Sequence, residues 1–423
     1  MQSTGSRRRP WARGFLGTLV LCSWGAAQAT PDDREPPRVL ADTAGTFLEI
    51  SAPPVASGTG SFVFHAMART GRDGIYYSNG GAPIPVVTAG TDADFVTGES
   101  HHLMRLGSEP AMNSRGKIVF RAVLGEGEGI LAREGPFGPL HFVADSGEAF
   151  RSFSDRVQVN DLGDVLFHAL VDPRGHPDHE DSDAGTLEQR DLDIEEPDKI
   201  PPRARWTRRG MQAAFDEGIF LDDGDEMLVV GGTHVDFADV SARFDLNQRG
   251  AVTYRCWTAD GTEHVVWDDG YATSFDLAHT GPVFEALGDP SCNDVGDVVF
   301  TAVSKGGLPV VVHGRNARVT PQVIAEGSDV ISFRPGVAID QFQSAYFVAV
   351  QDSDRETLIV RAKDGSLRPL LRTGDPVSCR GKTSWVGTIQ LSSRPFFRQG
   401  ILVLLVGLEP EGQAVVLVST AKS

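Results

Sequence analysis

The feature that most constrains this chain is a recurring N-x-x-G-x-x-x-F-x-A pattern. It stands complete at Asn113, Gly116, Phe120, Ala122, at Asn160, Gly163, Phe167, Ala169, and at Asn293, Gly296, Phe300, Ala302. Weaker copies keep the offsets at Ser57, Gly60, Phe64, Ala66 and at Asn247, Gly250, Tyr254, Cys256. A sixth reads Asp340, Phe347, Ala349 with Gln343 at the glycine position, and Gly400 opens a seventh, degenerate copy in Ile401-Leu402-Val403-Leu404. The spacing is 47 residues from Asn113 to Asn160, 46 from Asn247 to Asn293 and 47 from there to Asp340. Self-similarity at a fixed period of this size marks a repeat architecture, and it precedes every other inference about fold.

Each unit contains four short β-type runs, clearest in the third: Arg156-Val157-Gln158-Val159, Asp164 to Leu170, Gly218 to Leu221, and Met227 to Val230. A four-stranded unit repeated in this way is a propeller blade. The expected fold is therefore all-β, a seven-bladed β-propeller with four-stranded antiparallel blades, and residues 30–423 form its single domain. Asn-x-x-Gly falls between the first and second strands, where Asn caps a tight turn and Gly supplies a positive φ. The Phe and Ala two residues apart share one face of the second strand and point into the interface between blades. That turn role outweighs a catalytic reading of pairs such as Asn160-Asp161 and Asn293-Asp294. Blade seven has three strands of its own, Ser384 to Gln390, Ile401 to Leu408 and Ala414 to Ser419; Arg38-Val39-Leu40-Ala41-Asp42 resembles the fourth strands and closes it, removing an exposed edge.

With these motifs from about Arg38 to Ser419, the chain resembles a group of exported bacterial proteins with tandem N-x-x-G-x-x-x-F repeats, often with varied C-terminal surface anchors. The resemblance implies the fold and export, and it implies no catalytic residues. The last residues, Ala421-Lys422-Ser423, lack an apolar tail or sorting signal, so release or periplasmic residence is expected over anchoring.

The N-terminus carries Arg7, Arg8, Arg9 and Arg13, an apolar run from Phe15 to Cys22, and Ala27-Gln28-Ala29. This reads as a signal peptide over residues 1–29, too short for a permanent span, and it implies a secreted or periplasmic protein with no membrane span after cleavage. Leu21 before Cys22 argues against a lipoprotein anchor, and Ser6-Arg7-Arg8 followed by Pro10 leaves twin-arginine export open. The formal charge of -18 becomes -22 once the four leader arginines are removed. Nucleic acid is therefore excluded as a partner, because its binding needs clustered Lys and Arg. A monomer is expected. Cys256, Cys292 and Cys379 survive cleavage; Cys256 could meet Cys292 across a blade interface, or all could be buried thiols.

The spacing between Asn160 and Asn247 is 87 residues, which places an insertion at residues 172–211 of blade three. It runs acidic from Asp178 to Asp198 and basic from Arg203 to Arg209, a composition of mobile loops or of a lid over the channel. Loops joining strands two to three and strand four to the next blade share one face of a propeller, and ligand sites are expected there by fold analogy. That face gathers Asp92, Asp94, Glu99, His101 and His102 between blades one and two, His234 and Asp236 between blades three and four, and His176, Asp178, His179 and Glu180 in the insertion. The candidate binding residues are Asp94, His101, His102, His234, Asp236 and Trp206, the last as an exposed stacking platform. His101, His102, His234 and Asp236 together have the ligand types for zinc, and carboxylates alone suit calcium, although no cofactor is required. Asp222-Asp223-Gly224-Asp225 and Asp268-Asp269-Gly270 read as hairpin turns, and Trp257, Trp267 and Trp385 as core. No nucleophile elbow, H-E-x-x-H helix or phosphate-binding glycine loop is present. The expected function is a non-catalytic exported propeller that binds an extracellular protein or glycan through the insertion-bearing face. The alternatives are a metal-dependent hydrolase or lyase at the channel mouth and a structural envelope component.

Overall fold

Second strands such as Phe62–Ala68 and Ala345–Gln351 are buried along nearly their whole length, with no alternation of polar and apolar faces. A strand of that kind is stable only in a sheet covered on both sides. The computed structural model supplies that cover. It describes residues 36–147, 149–171, 205–206, 216–233, 237–269, 274–315, 319–326, 330–351, 354–398 and 400–420, and none of these is α-helical. Seven antiparallel sheets form the blades of a β-propeller, the four main strands of each pairing in order. Blade three is built from Phe150–Val159, Val165–Val171, Glu217–Asp222 and Met227–Gly232. The insertion, residues 172–211, lies outside the described residues apart from the short strand Arg205–Trp206.

The ring closes as the sequence predicts. Arg38–Asp42 joins blade seven by pairing with Gln413–Ser419, from Arg38 opposite Leu417 to Asp42 opposite Ala414. Gln413 secures the seam: its amide donates to Thr43 Oγ1 at 2.8 Å, and its Oε1 accepts from the Ile50 amide of blade one at 2.9 Å.

The core is divided among the seven blade interfaces. In blade two, Phe120 and Ala122 pack on Val63, Ile75 and Val87 of blade one, whereas Val119 on the other face packs on Phe167 and Ala169 of blade three. The same orientation recurs in blades one and three to six, so the motif aromatic faces the preceding blade in each. Phe64, Phe120, Phe167, Tyr254, Phe300 and Phe347 are all less than 2% exposed. Cys256, Cys292 and Cys379 are buried and unbonded, which settles the two readings of the cysteines in favour of free thiols.

The motif asparagine does more than cap its own turn. Asn293 Oδ1 accepts from the amides of Val295 at 3.1 Å and Asp297 at 2.9 Å, while its Nδ2 donates to the carbonyl of Asp340 in the next blade at 2.9 Å. Asn113 donates likewise to the Asn160 carbonyl at 2.9 Å, and Asn247 to that of Asn293 at 3.0 Å. Asparagine is the residue of choice because the site needs an acceptor for the local turn and a donor for the neighbouring blade. Gln343 shows what replaces the glycine: it holds φ 67°, and its Nε2 donates back to Asp297 Oδ2 of blade five at 2.9 Å.

Two predictions follow from this ring. Asn293→Asp keeps the acceptor, loses the donor and sets a second carboxylate beside Asp297, so it should lower stability by about 1–3 kcal/mol in urea unfolding at neutral pH. Burial alone would raise the Asp297 carboxyl, but hydrogen bonds from His313, Gln343 and Asn293 outweigh it and hold the group at about 2, below its ordinary 3.8. The folded value lies below the unfolded one, so Asp297 stabilises the protein above pH 3.8 and loses that contribution as the pH falls toward 2. The contribution is roughly 2 kcal/mol. Stability measured from pH 5 down to 2 should therefore fall less steeply in Asp297→Asn than in the wild type.

Candidate functional site

Blade seven departs from the tight turn of its neighbours, and the departure shapes the channel. Residues 391–395 turn inward between the strands Lys382–Gln390 and Ile401–Glu409. Ser393 Oγ accepts from Arg156 Nη2 at 3.0 Å and from Gln158 Nε2 at 3.3 Å, both on blade three. Arg394 Nη1 donates to the Val159 carbonyl at 2.7 Å, and its Nε lies 3.7 Å from Asp245 Oδ1 on blade four. Asp245 Oδ2 accepts from Ser291 Oγ at 2.9 Å and the Cys292 amide at 3.0 Å. Arg156 also reaches Glu109 of blade two at 3.2 Å. Side chains of five blades thus meet across the axis and obstruct the channel. Burial pushes the Asp245 carboxyl up, and the Arg394 guanidinium opposes that push. Arg394→Ala should therefore cost about 3–5 kcal/mol in chemical unfolding, because it leaves a buried carboxylate unpaired. Adding Asp245→Asn should recover much of the loss, and equal stability of the single and double variants would disprove the pairing.

On the turn side of this network lies a cavity of about 980 Å³, with Ser393 and Arg394 among its lining residues. Its wall is a belt of residues that each follow a motif Asn or Asp. Asp161 Oδ1 accepts from the Ser114 amide at 2.7 Å, Asp294 Oδ1 from the Gln248 amide at 2.8 Å, and Gln341 Oε1 from the Asp294 amide at 3.1 Å. Gln248 Oε1 accepts from the Asp161 amide, so the belt is continuous over five blades. Each of these four side chains uses one polar atom for the belt; the second makes no hydrogen bond to another described residue. Phe342, 62% exposed, stands at the rim.

This cavity lies on the face opposite the loops that the sequence singles out. His101 and His102, expected in a loop, belong to the inner strand Ser100–Leu106, because the chain before them folds back as the strand Thr91–Asp94. Neighbouring strand residues point to opposite faces. Accordingly His102 bonds Asp92 at 2.7 Å, while His101 packs edge-on against Phe95 at 4.7 Å and Phe142 at 5.6 Å. Asp94 is exposed on the same hairpin. His234, Asp236, His176, Asp178, His179 and Glu180 lie outside the described residues. Trp206 is placed by its backbone beside the outer strand Met227–Gly232 of blade three. Asp223 and Gly224 form the expected hairpin turn, with φ 92° at the glycine and Asp223 Oδ1 accepting from the Asp225 and Glu226 amides. Trp267 is buried, but Trp385, expected in the core, is 48% exposed: it stands on the inner strand of blade seven, beside Pro376 of the short flanking strand.

Among the described residues, the three His, Cys, Asp or Glu side chains able to reach one ion are His264, Asp276 and His279, all in blade four. Sequence reasoning passed over them because they lie in the third and fourth strands, not in loops. The signal available was an acid and a histidine three apart in a strand, which ideal two-residue alternation would place on opposite faces.

Fold and site together define a seven-bladed β-propeller closed by its N-terminal strand, with an obstructed channel and a polar mouth. The chain belongs to a family of unknown function, DUF7453, whose profile matches residues 39–313. No curated protein matches it. Among solved structures it is similar to a puromycin-hydrolyzing peptidase of Mycobacterium tuberculosis, at 12% identity and a TM-score of 0.53, over 92% of this chain and 54% of that one. It is also similar to an oligogalacturonate lyase of Vibrio parahaemolyticus, at 9% identity and a TM-score of 0.50, over 92% of each chain. The chain spans about half the length of that peptidase, and these likenesses establish the propeller fold. No helix among the described residues is long and apolar enough to cross a membrane.

Proposed function

We propose that this protein is an exported, non-catalytic propeller that binds a glycan in the turn-side mouth of its channel. The leader-like N-terminus supports export. One observation carries the binding reading: Asp161, Gln248, Asp294 and Gln341 form a rigid arc in which each side chain has one atom fixed by the belt and another left for a ligand. Planar carboxylate and amide groups pair with vicinal hydroxyls, and the exposed ring of Phe342 offers a face for a sugar to stack on. The Ser393 and Arg394 floor makes the mouth a closed-ended pocket, so a terminal or short oligosaccharide fits it better than a threaded chain.

The insertion-bearing face is the competing location, and an oligosaccharide array followed by calorimetry on the purified chain separates the two. Asp161→Ala combined with Gln341→Ala should weaken binding of the best array ligand at least tenfold. Deletion of Asp178 to Arg209 should leave that affinity unchanged. Loss of binding in the deletion alone would move the site to the other face, and an empty array with capture of a protein partner instead would replace the glycan reading.

A further inference from the structure

We propose that His264, Asp276 and His279 form a binding site for a divalent transition cation of zinc's class on the rim of blade four. His264 lies in the third strand, Glu263–Asp268, and His279 in the fourth, Ser274–His279, directly opposite each other in register. Side chains opposite one another across two strands project from the same face. Asp276 would face the other way, three residues before His279, were it not for a β-bulge. Val265 pairs with Ala278 and Val266 with Asp276, so Leu277 is the extra residue and is turned inward, where it is buried. The bulge brings Asp276 round to the histidines, and its Oδ2 lies 3.0 Å from His279 Nδ1 and 3.3 Å from His264 Nδ1.

The other blades supply the control. A bulge at this place recurs in all seven blades, and the three equivalent positions are Gly74, Pro85 and Thr88 in blade one, Gly129, Phe142 and Asp145 in blade two, Gly218, Val229 and Gly232 in blade three, Val310, Val323 and Glu326 in blade five, Thr357, Pro369 and Arg372 in blade six, and Ala414, Val39 and Asp42 in blade seven. The His264 position elsewhere holds glycine, valine, threonine or alanine, the Asp276 position proline, phenylalanine or valine, and the His279 position threonine, glycine, arginine or an acid, so the propeller scaffold needs no imidazole there. Blade four alone places two histidines and an acid on them.

Position and chemistry both suit a metal. The three donor atoms lie within 4.8 Å of one another. Donors around one tetrahedral zinc are roughly 3.4 Å apart, so small side-chain rotations complete the site. Two imidazole nitrogens and one carboxylate oxygen select zinc, nickel or cobalt over calcium or magnesium, which prefer all-oxygen shells. The ligands stand on paired strands, and the hairpin end is tied by the Glu263 amide donating to Thr280 Oγ1 at 3.0 Å and the Thr280 amide donating to the Glu263 carbonyl at 2.9 Å. The backbone is thus preorganised, and the half-exposed His279 leaves the remaining coordination positions to water.

Equilibrium dialysis of the chelator-treated full chain against zinc chloride, read by elemental analysis, tests the site. One tightly held zinc per chain is expected at pH 7.5. His264→Ala, His279→Ala and Asp276→Asn should each weaken zinc binding at least tenfold, with circular dichroism and melting unchanged before zinc is added. His102→Ala serves as the control and should bind as the wild type does. Absence of zinc from the wild-type chain, or retention of full affinity by the blade-four variants, would overturn the proposal; loss of zinc in His102→Ala alone would place the ion on blade two and overturn it equally.

Discussion

The structure depends on a side chain that faces two ways. In blades two, four and five an asparagine at the end of the inner strand satisfies the amides of its own tight turn and also reaches the backbone of the next blade. Only a side chain with both a carbonyl and an amino group on one short stem can do this, as Asn113, Asn247 and Asn293 do. Where the chain uses another residue, the neighbouring side chains adjust. Asp340 cannot donate, and its second oxygen instead accepts from Tyr346 at 2.9 Å. Asn160 turns its amide to Asp164 at 2.7 Å, and the link to blade four passes to Gln248 and Asp161.

From this ring of turns the remainder follows by packing. The second strands of blades one to six each bury a large aromatic against one neighbour and aliphatics against the other. Seven small cores replace one large one, and none is complete without the adjacent blade. The N-terminal strand is needed for the same reason, because without Arg38–Asp42 blade seven would leave Gln413–Ser419 as an open edge. A ring built in this way is tolerant at its repeated positions, and its individuality appears where one blade departs from the rest.

Two such departures carry the functional readings. In blade seven the tight turn is replaced by a segment that drives Ser393 and Arg394 into the channel, converting a tunnel into a pocket. In blade four the edge positions that carry no histidine in the other blades hold His264, Asp276 and His279. Neither lies in the loops between strands two and three or between blades, where propeller chemistry is expected by analogy. The residues His101 and His102, which stand out in the sequence, are separated by the simplest rule of strand geometry.

By itself the sequence determined the fold class, the number of blades, the second to fourth strands of blade three to within two residues, and closure by the N-terminal strand, while the first strand of blade three begins six residues earlier than its β-type run. These rest on local turn chemistry and on a period, both of which are written in consecutive residues. It also marked the turn asparagines and the aromatic positions, although not the donor that links each asparagine to the next blade. The tertiary structure alone decided which polar residues meet. Arg394 and Asp245 are 149 positions apart, and nothing in a linear pattern ties a guanidinium in blade seven to a carboxylate in blade four. The bulge at Leu277 is a matter of register between two strands, so the grouping of Asp276 with His264 and His279 becomes visible only once those strands are paired. Periodicity specifies what every blade shares, whereas a site arises from the residues in which one blade differs and from the distances that closing the ring brings to contact.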